Sequence, residues 1–207
     1  MILAVDTSLG SAVAIVDGEG RTLADASSPN PLGHAEVIGG LLEQVLAGAG
    51  SGQITHVVEG MGPGPFTGLR IGIATARAFA LGRGVPVVPA PSHFAAALSV
   101  IEADAPATPF AIVTDARRRE VAISVFDGLD ADGIPQLTTT TVLVPRVDAE
   151  AHLDGIRTFE IAALDGGALG RIGVRAIAAG RELTGAEPLY LRQPDVTVPG
   201  APKRVGL

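Results

Sequence analysis

Asp6-Thr7-Ser8-Leu9-Gly10-Ser11 places a carboxylate and small hydroxyl side chains at the end of an apolar run. A hairpin of this kind can hold the phosphates of a Mg-nucleotide. The same residues also make an ordinary turn, because Asp, Ser and Thr bond their own backbone. A second segment, Gly60-Met-Gly-Pro-Gly-Pro-Phe-Thr-Gly-Leu-Arg70, lies between the apolar runs 54–58 and 69–81. A glycine-rich turn between strand and helix is a common phosphate seat. This one has no Lys, and Pro65 stands where the third glycine of a dinucleotide fingerprint, counted from Gly60, would be. Pro63 and Pro65 also lack the N–H groups that a phosphate cradle is made of. The loop therefore reads as a rigid elbow that aims the next helix.

The remaining polar motifs each leave two readings. A helical metal pair needs a second His four residues after the first, but Ile38 stands four after His34. His56, His93 and His152 have no ligand spacing to it, so no metal site is expected and His34 reads as a helix start. Asp115-Ala-Arg-Arg-Arg-Glu120 could hold an anion or a partner, or be a solvated hairpin turn. Asp165-Gly166-Gly167 could be a second phosphate hairpin, and reads better as a helix start.

The elements that must position these residues follow from periodicity. Runs 2–5, 12–16 and 22–26, separated by turn residues, predict a three-strand antiparallel meander. His34 to Leu46 is helical, with Val37, Ile38, Leu41, Leu42, Val45 and Leu46 on one side. Runs 54–58 and 85–90 predict strands. Helices are expected over 69–81, capped by Thr67, and over 92–101. The order βββαβαβα gives a mixed sheet flanked by helices, the ribonuclease-H-like unit of the actin, sugar-kinase and Hsp70 superfamily. Further strands are expected at 110–114, 121–126 and 138–144, and a helix at 163–183. Domain boundaries fall at 1–103 for this unit, 104–194 for a smaller second one, and 195–207 for a loose tail.

In the second helix Gly68, Gly72, Ala76 and Ala80 recur every four residues and form one small-residue stripe. Ile71, Ala74, Ala78 and Leu81 lie elsewhere and are expected to face the sheet. Arg70 and Arg77 share a third face. The stripe predicts close approach by a helix, from another chain or from within this one.

Composition bounds the class. The chain has 207 residues, 47% of them hydrophobic and 18% charged, as a folded globular protein has. The net charge of −7 argues against direct binding to a nucleic-acid backbone. The absence of Cys excludes disulfides and thiolate chemistry. No signal peptide or membrane span is legible at the start or elsewhere, so a cytoplasmic location is expected.

Gly62-Pro-Gly-Pro-Phe-Thr-Gly-Leu-Arg-Ile-Gly72 resembles the signature of the TsaB (YeaZ) family. Met1-Ile-Leu-Ala-Val-Asp-Thr-Ser8, His34-Ala-Glu36, Asp115–Val121 and Pro188-Leu-Tyr-Leu-Arg192 are similar to its other motifs, in the same order. Pro65 departs from the Ser usual there, and nothing aligns over about 129–161. The resemblance implies an actin-like (ASKHA) α/β fold of two ribonuclease-H-like subdomains. It implies a scaffold without its own catalytic residues or metal, pairing with the related enzyme TsaD and joined by the ATPase TsaE. That complex places threonylcarbamoyl on the adenosine beside the anticodon of tRNAs reading codons that begin with A. The chain would be an essential subunit without independent activity, touching tRNA only through the complex.

Without TsaD, family members form homodimers through their first two helices. The implied interface here is His34, Val37, Ile38, Leu41, Leu42 and Val45 with Gly68, Arg70, Gly72, Ala76, Arg77 and Ala80. Asp6, Thr7, Ser8, Gly10 and Ser11 would be vestigial nucleotide contacts, with ATP or ADP bound weakly or at the complex interface. The alternative is an actin-like ATP-dependent phosphotransferase or ATPase that uses Asp6.

Overall fold

A computed structural model describes residues 1–30 and 33–192. The tail expected over 195–207 lies outside the described residues. The first sheet has the order β3-β2-β1-β4-β5, built from β1 (Ile2–Asp6), β2 (Ser11–Val16), β3 (Thr22–Ser28), β4 (His56–Gly60) and β5 (Val87–Ala90). β1, β2 and β3 are antiparallel neighbours, while β1, β4 and β5 run parallel. The meander followed by parallel strands is as expected.

Both faces of this sheet are covered, which is why its central strands are apolar throughout. Leu3, Val5, Val13, Ile15 and Val57 pack under α1 (His34–Gly48) and α2 (Phe66–Arg83). Ile2, Ala4, Val16 and Val58 point the other way, onto α3 (Ser92–Asp104) and α5 (Gly166–Ala179). Alternation by two along each strand feeds two cores at once. α5 lies so close to the sheet that a Cβ on Gly173 would overlap Val58.

The second sheet has the order β10-β6-β7-β8, with β9 also on β7. Its strands are β6 (Phe110–Asp115), β7 (Glu120–Leu129), β8 (Pro135–Leu137), β9 (Val142–Pro145) and β10 (Arg157–Glu160). Phe110, Ile112 and Phe126 pack against Ala96, Ala97 and Val100 of α3. The opposite face buries Val113, Val121 and Ile123 with Leu153 of α4 (Ala149–Leu153). β6 is antiparallel to β7 and parallel to β10, as β1 is antiparallel to β2 and parallel to β4. The chain thus runs twice through three antiparallel strands, helix, parallel strand and helix. Two mixed, helix-flanked sheets related in this way are the actin-like plan.

Some local expectations need correction. The strand expected over 138–144 begins only at Val142, as β9; residues 138–141 loop out, and the unexpected β8 precedes them along the same edge of β7. β4 begins at His56, and Ile54 enters the core before the ladder starts. Thr67 is not a cap: α2 starts at Phe66, and extended Pro65 precedes it. Asp165 does start a helix, its carboxylate accepting a 2.8 Å bond from the Gly167 N–H. Helices α4 and the short turn at Arg146–Asp148 fall in the segment with no sequence signal.

The larger correction concerns α2. Ala74, Ala78 and Leu81, expected on the sheet, are exposed, and Leu81 is 84% exposed. Gly68, Gly72, Ala76 and Ala80 are buried instead. Small side chains mark the side where the backbone approaches the sheet most closely.

Candidate functional site

The residues singled out for chemistry converge at the C-terminal end of β1, where three segments meet. Asp6 is 1% exposed. Its Oδ1 accepts bonds from the Ser8 N–H at 2.7 Å and Ser8 Oγ at 2.6 Å. Its Oδ2 accepts from Ser92 Oγ at 2.5 Å. Burial pushes the Asp6 carboxyl up from the usual range, while the bonds from Ser8 and Ser92 pull it back. A Cβ on Gly60 would overlap this carboxylate, so only glycine fits at the end of β4.

Ser92 is the residue that sequence reasoning missed. Its hydroxyl accepts from the Gly62 N–H at 2.9 Å, and its own N–H donates to Gly62 O at 2.8 Å. The glycine-rich loop is therefore tied to Asp6 through Ser92 and offers that N–H to no ligand. The available signal was Pro91-Ser92 at a helix start, just after a strand.

Thr7 and Ser11 bond to the helices. Thr7 Oγ1 donates to Gly68 O at 2.6 Å and accepts from the Gly72 N–H at 3.0 Å. Ser11 Oγ lies 2.9 Å from Nδ1 of His34, which is 4% exposed. Gly10 takes φ +75°, and a Cβ there would lie 2.6 Å from Ser28 O. Thr7, Ser8 and Ser11 of the proposed nucleotide contacts are thus bonded inside the chain, and Gly68 and Gly72 of the small-residue stripe admit Thr7 and His34, while Ala76 and Ala80 lie in the apolar core.

The twelve residues expected at an interface divide accordingly. His34, Ile38, Val45, Gly68, Gly72, Ala76 and Ala80 are buried within the chain. Val37, Leu41 and Leu42 are half-buried. The two arginines grip the segment after α5. Arg70 Nε donates to Tyr190 Oη at 3.0 Å, and its guanidinium lies 3.7 Å over the Phe66 ring, which meets Tyr190 at 4.7 Å. Arg77 donates to both oxygens of the buried Glu59 at 2.9 and 2.8 Å, and to Ala186 O at 2.7 Å. Its bond to Glu59 holds the guanidinium above its ordinary pKa. Leu189 N–H donates to Met61 O, so residues 186–190 form a strap along α2.

What remains open to a partner is the outer face of the helix pair. On α1 it carries Ala35, Gly39, Glu43 and Ala47, and on α2 Ala74, Ala78 and Leu81. Added Cβ atoms on Gly39 and Gly40 would meet nothing within 4 Å. Among the described residues no three His, Cys, Asp or Glu side chains gather as a metal ion would need. No helix there is long and apolar enough to cross a membrane.

A family model described as TsaD, tRNA N6-adenosine threonylcarbamoyltransferase, matches residues 32–135. An uncharacterized Mycobacterium leprae protein is 37% identical over 130 residues, which is 58% of this chain and 34% of that protein. The tRNA threonylcarbamoyladenosine biosynthesis protein TsaB of Haemophilus influenzae is 32% identical over 127 residues, 59% of this chain and 52% of its own length. The chain therefore spans a third to a half of these relatives' lengths. The solved structure of YeaZ from Pseudomonas aeruginosa superposes with a TM-score of 0.75 at 23% identity, covering 92% of this chain and 99% of that one.

Proposed function

The chain belongs to the TsaD-related family, on its TsaB (YeaZ) branch, and from that premise we propose that it serves tRNA threonylcarbamoyladenosine biosynthesis as a non-catalytic scaffold that activates TsaD. The observation that carries the second half of this reading is the Asp6–Ser8–Ser92 lock. An actin-like phosphotransferase would need Asp6 open to a metal or to water. Here each carboxylate oxygen already accepts a bond, and the Gly60 backbone closes the remaining side. The prolines of the loop remove two further N–H donors. Catalysis of threonylcarbamoyl transfer then belongs to TsaD, with TsaE joining the pair in the cytoplasm.

The outer face of α1 and α2 is the surface proposed for TsaD, and for a second copy of this chain when TsaD is absent. Small and apolar residues there let a facing helix approach closely, and Leu81 supplies an apolar contact. Any ATP or ADP would be held weakly, or at that interface. With a net charge of −7 the chain would reach tRNA only through the complex.

Reconstitution tests the reading. Purified TsaD and TsaE, given threonylcarbamoyl-adenylate and tRNA, should modify the tRNA only when this chain is added. Calorimetry with Mg-ATP on the isolated chain should give no Asp6-dependent binding. Modification at an equal rate without the chain, or tight ATP binding lost in Asp6→Ala, would sink the proposal.

A further inference from the structure

We propose that the outer face of the second sheet, over β10 and beside α4, seats an arginine-bearing amphipathic helix of a partner protein. The repeated plan of the two halves points to it. After β4 the first half adds α2, β5 and α3. After β10 the second half goes directly to α5, which packs beside α3 on the first sheet. Among the described residues the second sheet therefore has no counterpart of α2 or β5, and β10 is its edge where β4 carries β5.

Register identifies the residues that this leaves uncovered. Val57 and Glu59 of β4 pair with Leu3 and Val5, and Thr158 and Glu160 of β10 pair with Ala111 and Val113. Leu3 and Val5 lie on the α1 and α2 side, and Ala111 and Val113 on the α4 side, so the two pairs hold the same place in the repeat. Under α2, Val57 is 0% exposed and Glu59 is 1% exposed. Arg77 of α2 donates to both Glu59 oxygens. Thr158 and Glu160 are exposed instead, Glu160 by 74% of its side chain. Its cation is Arg146 at 3.6 Å, which stands nearer to Asp115, at 3.1 Å. The position that receives an arginine from a helix in one half is thus open in the other.

The surroundings suit such a helix. Thr158 and Glu160 border a hollow of about 330 Å³, lined also by Val113, Val121, Leu153 and Ile156 of the apolar cluster at α4. Charge sets the chemistry of the occupant. Glu150 lines the same hollow, and Asp148 and Asp154 flank α4. All three are exposed, and none has a cation partner among the described residues. An apolar hollow among unpaired carboxylates selects a helix whose apolar face is bordered by arginine.

This inference is independent of the scaffold role and is tested on the isolated full chain. The probe is a helical peptide of about 18 residues, with leucines along one face and arginines beside them. It is titrated by fluorescence anisotropy against a twin carrying glutamates in place of the arginines. The arginine peptide should bind with a Kd below about 100 µM, and at least about tenfold more tightly than its twin. Glu160→Arg should lower that affinity at least about tenfold. Its melting temperature should stay within about 2 °C of the parent's, because the side chain is exposed. Glu19→Arg, the same charge change on an exposed turn of the first sheet, should leave the affinity unchanged. No binding up to about 1 mM, equal binding of the two peptides, or equal affinities in the two variants overturns the proposal. Self-association of the chain that is lost in Glu160→Arg, read by sedimentation, would make the occupant a second copy and overturn it too.

Discussion

Asp6 and His93 show how burial changes what a polar residue can do. At Asp6 three donors converge, so removing the carboxylate leaves the Ser8 N–H and two hydroxyls buried without an acceptor. Each such group costs about 1–3 kcal/mol, partly relieved by rotation of the hydroxyls. Asp6→Ala should therefore lower stability by about 2–4 kcal/mol, read from urea unfolding. A residue kept for nucleotide chemistry would give a small loss of stability and a large loss of ligand affinity. His93 is a case that sequence reasoning treated only as lacking metal spacing. It is 1% exposed, with Nδ1 2.7 Å from Ser124 Oγ and Nε2 2.9 Å from Thr114 Oγ1. Burial pushes its pKa down from 6.5 to about 3.

The sign for His93 follows from proton binding. Between about pH 3 and 6.5 the unfolded chain takes up a proton at His93 that the folded chain refuses. The contribution to stability is complete above pH 6.5 and declines as pH falls toward 3, by about 1.4 kcal/mol per pH unit. Asp6 works in the opposite direction. Its raised carboxyl keeps the proton longer when folded, so its contribution weakens as pH rises from the ordinary carboxylate value. Urea midpoints across pH 4–7 for the parent and His93→Gln separate the two. The parent should lose stability on acidification, and that slope should be smaller in His93→Gln. Equal slopes would mean that His93 takes up its proton in the fold as it does unfolded.

At the scale of the element, α2 shows what a sequence does and does not disclose. Its four-residue stripe of Gly68, Gly72, Ala76 and Ala80 is legible, and so is the close approach it permits. What it approaches is not legible, because a stripe has the same pattern whether it meets β1 or another chain. The apolar Ile71-Ala74-Ala78-Leu81 side suggested the sheet, yet backbone proximity to Thr7 decides the orientation. The strap had a similar fate. Pro188–Arg192 is a visible motif, but its contacts to Arg70 are more than a hundred residues away in the chain. Gly72→Ala puts a Cβ into Thr7 Oγ1. It should cost about 2–3 kcal/mol in thermal or urea unfolding of the isolated chain, whatever the partner. A variant that keeps full stability and loses only partner binding would return the stripe to an interface.

The whole molecule leaves its outer helical face as the surface to be explained. The single ribonuclease-H-like unit was legible in the βββαβαβα order of the first half, but its repetition was not. It was hidden in the second, where β8 and β9 break one edge and α4 is a single short helix. Both sheets bury their faces within the chain, on α1, α2, α3, α4 and α5, so a partner meets helices, loops or a sheet edge. Leu81 is the large apolar side chain of α2 that no internal contact requires, being 84% exposed. Replacing it tests the face without disturbing the fold. Leu81→Asp should leave the melting temperature within about 2 °C of the parent, since an exposed site contributes little to stability. It should shift a self-associated chain to monomer in sedimentation, and weaken capture of TsaD at least tenfold, because an unpaired carboxylate in a close helix contact is poorly tolerated. Unchanged association and capture would move the partner surface away from α2, leaving the strap side and the second sheet's helices to be tried.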